Sequence, residues 1–199
     1  MKKVTKKVFC CFTACLFAFC LFSPMTLAAE NYEITGFNVE INVDENNIYH
    51  VKENISTNFT TSSHGIYRTI PYSGKMQMPD GDAKIEYFYE NVITNINCNE
   101  SFSVDEGQSG IIAYSEIRIG DKDEYVLGKK NYAITYDYAV KDDDHTENFD
   151  YFYYNFTGND WKVPINNLTF RVTLPKNFDE NKIEFISGKY GSTNISNTK

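Results

Sequence analysis

Phe37, Val39, Ile41 and Val43 alternate with Asn38, Glu40 and Asn42, the period-two pattern of a strand with one buried face. Asp44-Glu45-Asn46-Asn47 reads as a turn, and Tyr49, Val51 and Ile55 carry a second strand on to Phe59, so the pair predicts a hairpin. Thr60 to Ser63 reads as a polar loop. The stretch from Pro71 to Asp82, with two prolines and two glycines, reads as a long connection. Further strands are predicted at Lys84–Tyr89, with Ile85, Tyr87 and Tyr89 on one face, and at Val92–Cys98 and Ile111–Ile119. Gly107-Gln108-Ser109-Gly110 reads as a loop, Gly120 to Asp123 as a turn, and Glu124–Leu127 as a short strand stopped by Gly128. Tyr132, Ile134, Tyr136, Tyr138 and Val140 give the longest clean alternation. Leu168 to Leu174 is ended by Pro175, and Lys182–Ile186 is the last predicted strand. Asp150–Tyr154 suits a helical turn or a strand equally.

Nowhere does the spacing of three and four that marks a helix occur together with helical caps. Some nine short strands, each with one apolar face, predict an all-β fold of two packed antiparallel sheets. The specific expectation is an immunoglobulin-like β-sandwich, with a barrel as the competing closure.

The N-terminus follows another pattern. Lys2, Lys3, Lys6 and Lys7 precede an apolar run from Val8 to Phe22, Pro24 breaks it, and small residues follow at Ala28 and Ala29. The run is 15 residues long, short for a hydrocarbon core that needs about 20. It predicts a cleaved signal peptide over residues 1–29, an uncleaved anchor being the alternative, and an exported domain over residues 30–199. Cys10, Cys11, Cys15 and Cys20 leave with the signal, so only Cys98 remains and no intrachain disulfide is expected. Cys98 shares a phase with Val92 and Ile96 and is expected as a small buried hydrophobe.

Charge narrows the partners. The whole chain carries −8; beyond residue 29 there are 15 bases against 27 acids, or −12. That balance opposes nucleic-acid binding, which needs clustered cations, and a polybasic membrane patch as well.

Candidate chemistry is sparse. Asp142, Asp143 and Asp144 with His145, Glu147 and Asp150 supply oxygen ligands for calcium but lack the glycine and closing glutamate of a calcium loop. A solvated loop is the expectation there. His50, His64 and His145 lack zinc spacing, and His50 is expected to face solvent. There is no G-x-S-x-G around Ser63-His64, and no helix follows the Gly107–Gly110 loop to make a phosphate cradle. Catalytic residues, cofactor and metal are all expected to be absent, and the protein is expected not to be an enzyme. The N-x-S/T triplets at Asn54, Asn58, Asn99, Asn155, Asn167 and Asn194 suit the high asparagine content.

Two segments look more ordered than loops. In His64-Gly65-Ile66-Tyr67-Arg68-Thr69-Ile70-Pro71, Arg68 is expected to satisfy loop carbonyls or a carboxylate while Tyr67 and Ile70 pack beneath it. In Tyr154-Asn155-Phe156-Thr157-Gly158-Asn159-Asp160-Trp161, the sole tryptophan is expected to plug the core rather than form a ligand platform. Gly65, Tyr67, Arg68, Pro71, Asn155, Gly158 and Trp161 are therefore the candidate structural or interaction motif.

Together with Tyr32–Val43, Tyr132–Tyr138 and Val172-Thr173-Leu174-Pro175, these segments resemble the N-terminal region of a bacterial predicted membrane protein family, domain of unknown function 2207. The resemblance runs from Tyr32 to the C-terminus. It implies an exported β-sandwich at the cell surface, followed in the family by transmembrane helices, and it carries over no catalytic residue. Nothing after residue 29 here is apolar enough to span a membrane, so the chain is expected to be truncated and membrane attachment to require the missing region or an uncleaved signal. The functional expectation is an extracytoplasmic interaction domain of a cell-envelope protein, its partner a cell-envelope protein or a glycan. The alternative is a carbohydrate-binding module that uses exposed aromatics, Trp161, Tyr151 and Tyr153 deciding between them.

Overall fold

The computed structural model describes residues 31–80, 83–141, 151–158, 160–183 and 185. The expected signal segment and the acidic run from Asp142 to Asp150 lie outside the described residues. The elements are β1 (Tyr32–Val43), β2 (Ile48–Ser63), β3 (Ile66–Pro71), β4 (Ser73–Asp80), β5 (Ala83–Glu90), β6 (Val92–Cys98), β7 (Phe102–Ser109), β8 (Ile112–Ile119), β9 (Val126–Ala139) and β10 (Leu168–Thr173), with a 3-10 turn at Glu180–Lys182. They form a five-stranded sheet in the order β10-β1-β2-β9-β6, a three-stranded sheet β3-β8-β7 and the β4-β5 ribbon. The all-β expectation holds in these three sheets, and no α-helix occurs among the described residues.

Alternation sets the core. Phe37, Val39 and Ile41 of β1, Tyr49, Val51, Ile55 and Phe59 of β2, and Tyr132, Ile134, Tyr136 and Tyr138 of β9 are buried. They join Ile66 and Ile70 of β3 and Ile117 and Ile119 of β8 in one cluster. Each fully buried branched or aromatic side chain contributes about 1.5–3 kcal/mol of transfer free energy.

Several strand boundaries differ from the expectation, each for an identifiable reason. Thr60–Ser63 is not a loop: β2 runs on through it, its threonines favouring extended backbone and Thr60 N–H reaching Asn31 O at 2.9 Å. Gly128 does not stop β9. At φ +74° it forms a bulge in which the register jumps between Phe59 and Ser63 of β2, the use of glycine that strands reserve for bends. The Pro71–Asp82 stretch holds β4, paired with β5 from Ser73↔Glu90 to Asp80↔Ala83; Gly74 fits because the Tyr89 ring lies over it. Gly107 and Ser109 belong to β7, with the Tyr114 ring against Gly107. Lys182 closes a 3-10 turn instead of opening a last strand.

Cys98 is half-buried, and Val92, expected in the same phase, is exposed. Asn95, at φ 55°, shifts the β6 register between Thr94 and Asn97 and so reverses which residues face inward. Finally, β10 pairs parallel with β1 from Phe37↔Leu168 to Asn42↔Thr173, so the pairing is not all antiparallel. A parallel neighbour requires a crossover. Part of it is the segment 151–165, whose rings move across the inner face: Phe152 on Tyr49 of β2, Tyr154 against Tyr138 of β9, Phe156 on Phe170 of β10, and Trp161 edge-on to Phe37 of β1.

Candidate functional site

The two ordered segments of the sequence meet at one side chain. Arg68 stands at an inward position of β3 and is fully buried, as is Glu53 of β2 beneath it. Arg68 Nε donates to Glu53 Oε2 at 2.8 Å and Nη2 to Oε1 at 2.7 Å, a bidentate pair. The remaining N–H groups donate to the carbonyls of Thr69 (2.8 Å), Thr157 (2.8 Å) and Phe156 (3.3 Å). Every one of the five guanidinium donors is therefore used. Its face lies 5.5 Å from the Phe37 ring centroid, a cation–π distance.

Glu53 takes a third bond from the Tyr136 hydroxyl at 2.7 Å. That spends the only proton of Tyr136, so in the short contact between the two phenols Tyr154 donates to Tyr136. Burial pushes both phenols far above their ordinary range, so they stay protonated as donors. Burial by itself disfavours the Arg68 charge, but the adjoining Glu53 carboxylate outweighs it and holds the guanidinium above its ordinary value. Around this cluster, burial raises Tyr49 and Tyr138 to about 12.

The Asn-Phe-Thr-Gly turn is shaped to present its carbonyls. Asn155 Oδ1 accepts the Gly158 N–H at 3.0 Å, and Gly158 sits at φ +71°. A Cβ there would lie 2.6 Å from Arg68 Nη1 and 2.7 Å from Thr69 O, so glycine is what lets the turn approach. Trp161 Nε1 donates to Thr157 O at 2.7 Å.

Of the candidate motif, then, Arg68, Asn155, Gly158 and Trp161 converge. Gly65 immediately precedes β3, and Pro71 ends it with its carbonyl accepting the Tyr138 hydroxyl at 3.3 Å. Tyr67 does not pack beneath Arg68: as its neighbour in a strand it points the other way and is 55% exposed. Ile70 is buried as expected, and Trp161 is half-buried.

Glu53, which the sequence reading passed over, had a signal. It occupies the inward phase of β2 between Val51 and Ile55, a place where a charge needs a buried partner. Tyr136, between Ile134 and Tyr138 on β9, gave none beyond alternation.

The outward face of the five-stranded sheet holds a second cluster. His50 Nδ1 meets Asp137 Oδ1 at 2.7 Å, Asp137 Oδ2 accepts from Asn95 Nδ2 at 2.6 Å, and His50 Nε2 is 3.7 Å from Asp44 Oδ2. The Asp137 hydrogen bond, opposed by burial and aided by the charges of Asp137 and Asp44, raises His50 above its ordinary 6.5. The Asn95 bond, then His50, lowers Asp137 below its ordinary 3.8. The His50 contribution is therefore full below about pH 6.5 and lost as pH climbs through its raised folded value. The Asp137 contribution is present above about pH 3.8 and lost as pH falls through its lowered one. Urea unfolding of His50→Gln beside the parent should show a deficit of under about 1 kcal/mol at pH 5–6, because the pair is largely exposed, and almost none at pH 9.

Neither cluster places a nucleophile beside a base. Burial raises the half-buried Cys98 thiol, which disfavours the reactive thiolate. Among the described residues no group of three His, Cys, Asp or Glu side chains is placed to hold a metal ion, and no helix is long and apolar enough to cross a membrane.

No curated protein matches the chain. A family model does, over residues 33–199, a span that includes Glu53, Arg68, Tyr136, the Asn155–Gly158 turn and Trp161. The chain belongs to the family described as the N-terminal domain of the DUF2207 predicted membrane proteins.

Proposed function

We propose that this domain is a non-enzymatic interaction module, carried on the outer side of the membrane by a bacterial cell-envelope protein and closed as an immunoglobulin-like β-sandwich. One observation carries the reading: among the described residues, the densest set of chemistry-bearing side chains is fully spent on itself. Glu53 and Arg68 are wholly buried, with all five guanidinium donors and three carboxylate bonds made inside the protein. Such a network ties the crossover segment to the sheets and keeps its own charged and phenolic groups from the surface. The outward sheet faces then remain as the working area. The basic and apolar residues 2–22 support export, and membership of a predicted membrane protein family supports attachment of the longer protein.

An alkaline phosphatase reporter, active only after export, fused behind Lys199 tests the location. Activity that is lost in Phe17→Arg is expected; a reporter silent in the parent overturns the extracytoplasmic reading.

Sugar binding through exposed aromatics has weaker support. Trp161 is anchored by Thr157 O and Phe37, and Tyr153 stands at 56° to Tyr89, whereas a stacking platform needs open, coplanar rings. Trp161→Ala should lower stability by about 2 kcal/mol in thermal unfolding, less than a fully buried tryptophan would cost. Loss of glycan-array binding in that variant, while still folded, would favour the aromatic platform instead.

A further inference from the structure

The outward face of the five-stranded sheet carries a depression of about 260 Å³ lined by Glu40, Asn42, His50, Lys52, Arg171 and Thr173. Its register is specific. Arg171 of β10 lies directly beside Glu40 of β1, and Glu40 directly beside Lys52 of β2, so a carboxylate is flanked on both neighbouring strands by a cation. All three are exposed. Among the described residues, neither cation closes an ion pair with Glu40. The next row toward the strand ends is Thr173, Asn42 and His50, an hydroxyl, an amide and an imidazole whose Nδ1 is committed to Asp137.

The order of charges selects the ligand. A simple anion drawn to Arg171 and Lys52 also meets Glu40, and a simple cation drawn to Glu40 meets two cations. A hydroxyl group both donates and accepts, so it satisfies the carboxylate and an adjoining cation together. Two neighbouring hydroxyls satisfy the whole row: each donates to Glu40, one accepts from Lys52 and the other from Arg171. Such bonds to charged partners are the stronger kind. Asn42 and Thr173 offer further donors and acceptors of the same reach.

We propose that the Arg171–Glu40–Lys52 row is a contact site for a neutral saccharide, gripped through vicinal hydroxyls rather than by aromatic stacking. The proposal rests on the reading that the domain binds rather than catalyses, and adds the class of partner and the face that takes it.

Calorimetric titration of the purified protein with mannan and with laminarin, both neutral, and with alginate, a polyanion, tests it. Binding to at least one neutral polymer is expected, and it should persist in about 0.5 M NaCl, where charge–charge attraction is screened. Glu40→Gln and Arg171→Gln should each weaken it at least about tenfold, the loss of one charged hydrogen bond. Both variants should keep the parent's unfolding midpoint, since the row is exposed. Asp105→Asn, exposed on β7 of the other sheet, should bind as the parent does. Failure of the folded parent to bind either neutral polymer overturns the proposal, as does binding confined to alginate and abolished by salt. Release of reducing ends in the same mixtures would instead overturn the non-enzymatic reading.

Discussion

Replacing Glu53 by Gln is expected to destabilise the protein by about 3–5 kcal/mol, the cost of leaving a buried charge without its counter-charge. The substitution keeps shape and volume and changes only the charge opposite Arg68, which has no solvent to turn to. Urea unfolding followed by far-ultraviolet circular dichroism measures it. For a chain of this size the corresponding fall in Tm is on the order of 10 °C. A loss below about 1 kcal/mol, the value of a surface pair, would show that the two side chains are in fact hydrated.

The double variant Glu53→Met, Arg68→Met separates the pair from the rest of the network. Apolar replacements of buried pairs are often neutral when the pair is self-contained. Here Arg68 also serves the carbonyls of Thr69, Phe156 and Thr157. Of these, Thr157 O keeps Trp161 Nε1 as a donor. The double variant should therefore recover only part of the loss, because an orphaned buried carbonyl costs about 1–3 kcal/mol. The residual loss should appear as faster amide exchange in the 151–158 segment than in β2 and β9, since Arg68 holds the former and ladder bonds hold the latter.

Gly65→Ala is expected to cost at least about 3 kcal/mol, combining backbone strain with an overlap that nothing nearby can relieve. Gly65 has φ +119°, and a Cβ there would lie 1.9 Å from the backbone oxygen of Ile119. The obstacle is main chain at the end of β8, the partner that pairs Ile66 with Ile119, so relief would pull apart the start of the β3–β8 ladder. Gly36→Ala is the control: its nearest contact would be Ser56 Cβ at 3.8 Å, with no positive φ. It should fall within about 0.5 kcal/mol of the parent in the same thermal unfolding experiment. Equal losses in the two variants would show that the Gly65 approach is not tight.

Alternation made much of the architecture legible. Phe37 to Val43 and Tyr132 to Tyr138 could be placed as half-buried strands because a strand exposes alternate residues to opposite faces. The pairing of Arg68 with carbonyls or a carboxylate was legible from chemistry, since an arginine among Ile66, Thr69 and Ile70 must find acceptors. Its partner was not, because Glu53 lies 15 positions away and only the register of two sheets brings them together. Gly107, Gly128 and Gly74 misled in the same way. Each reads locally as a break, yet each sits inside a strand: a tyrosine ring lies against Gly74 and Gly107, and Gly128 supplies the positive φ of a bulge.

By itself, the amino-acid order determined the local choices: extended backbone, which face of β1, β2 and β9 is apolar, the turn at Asp44–Asn47, and the excess of acids over bases. These follow from side chains acting on their own neighbours, within a few residues. Only tertiary structure decided what depends on distant segments meeting. It ran β10 parallel to β1, buried Glu53 under Arg68, drew the Asn155–Gly158 turn onto that guanidinium, and set Arg171, Glu40 and Lys52 in one row. In each case the energy of the contact is shared between strands whose relative register no single strand encodes.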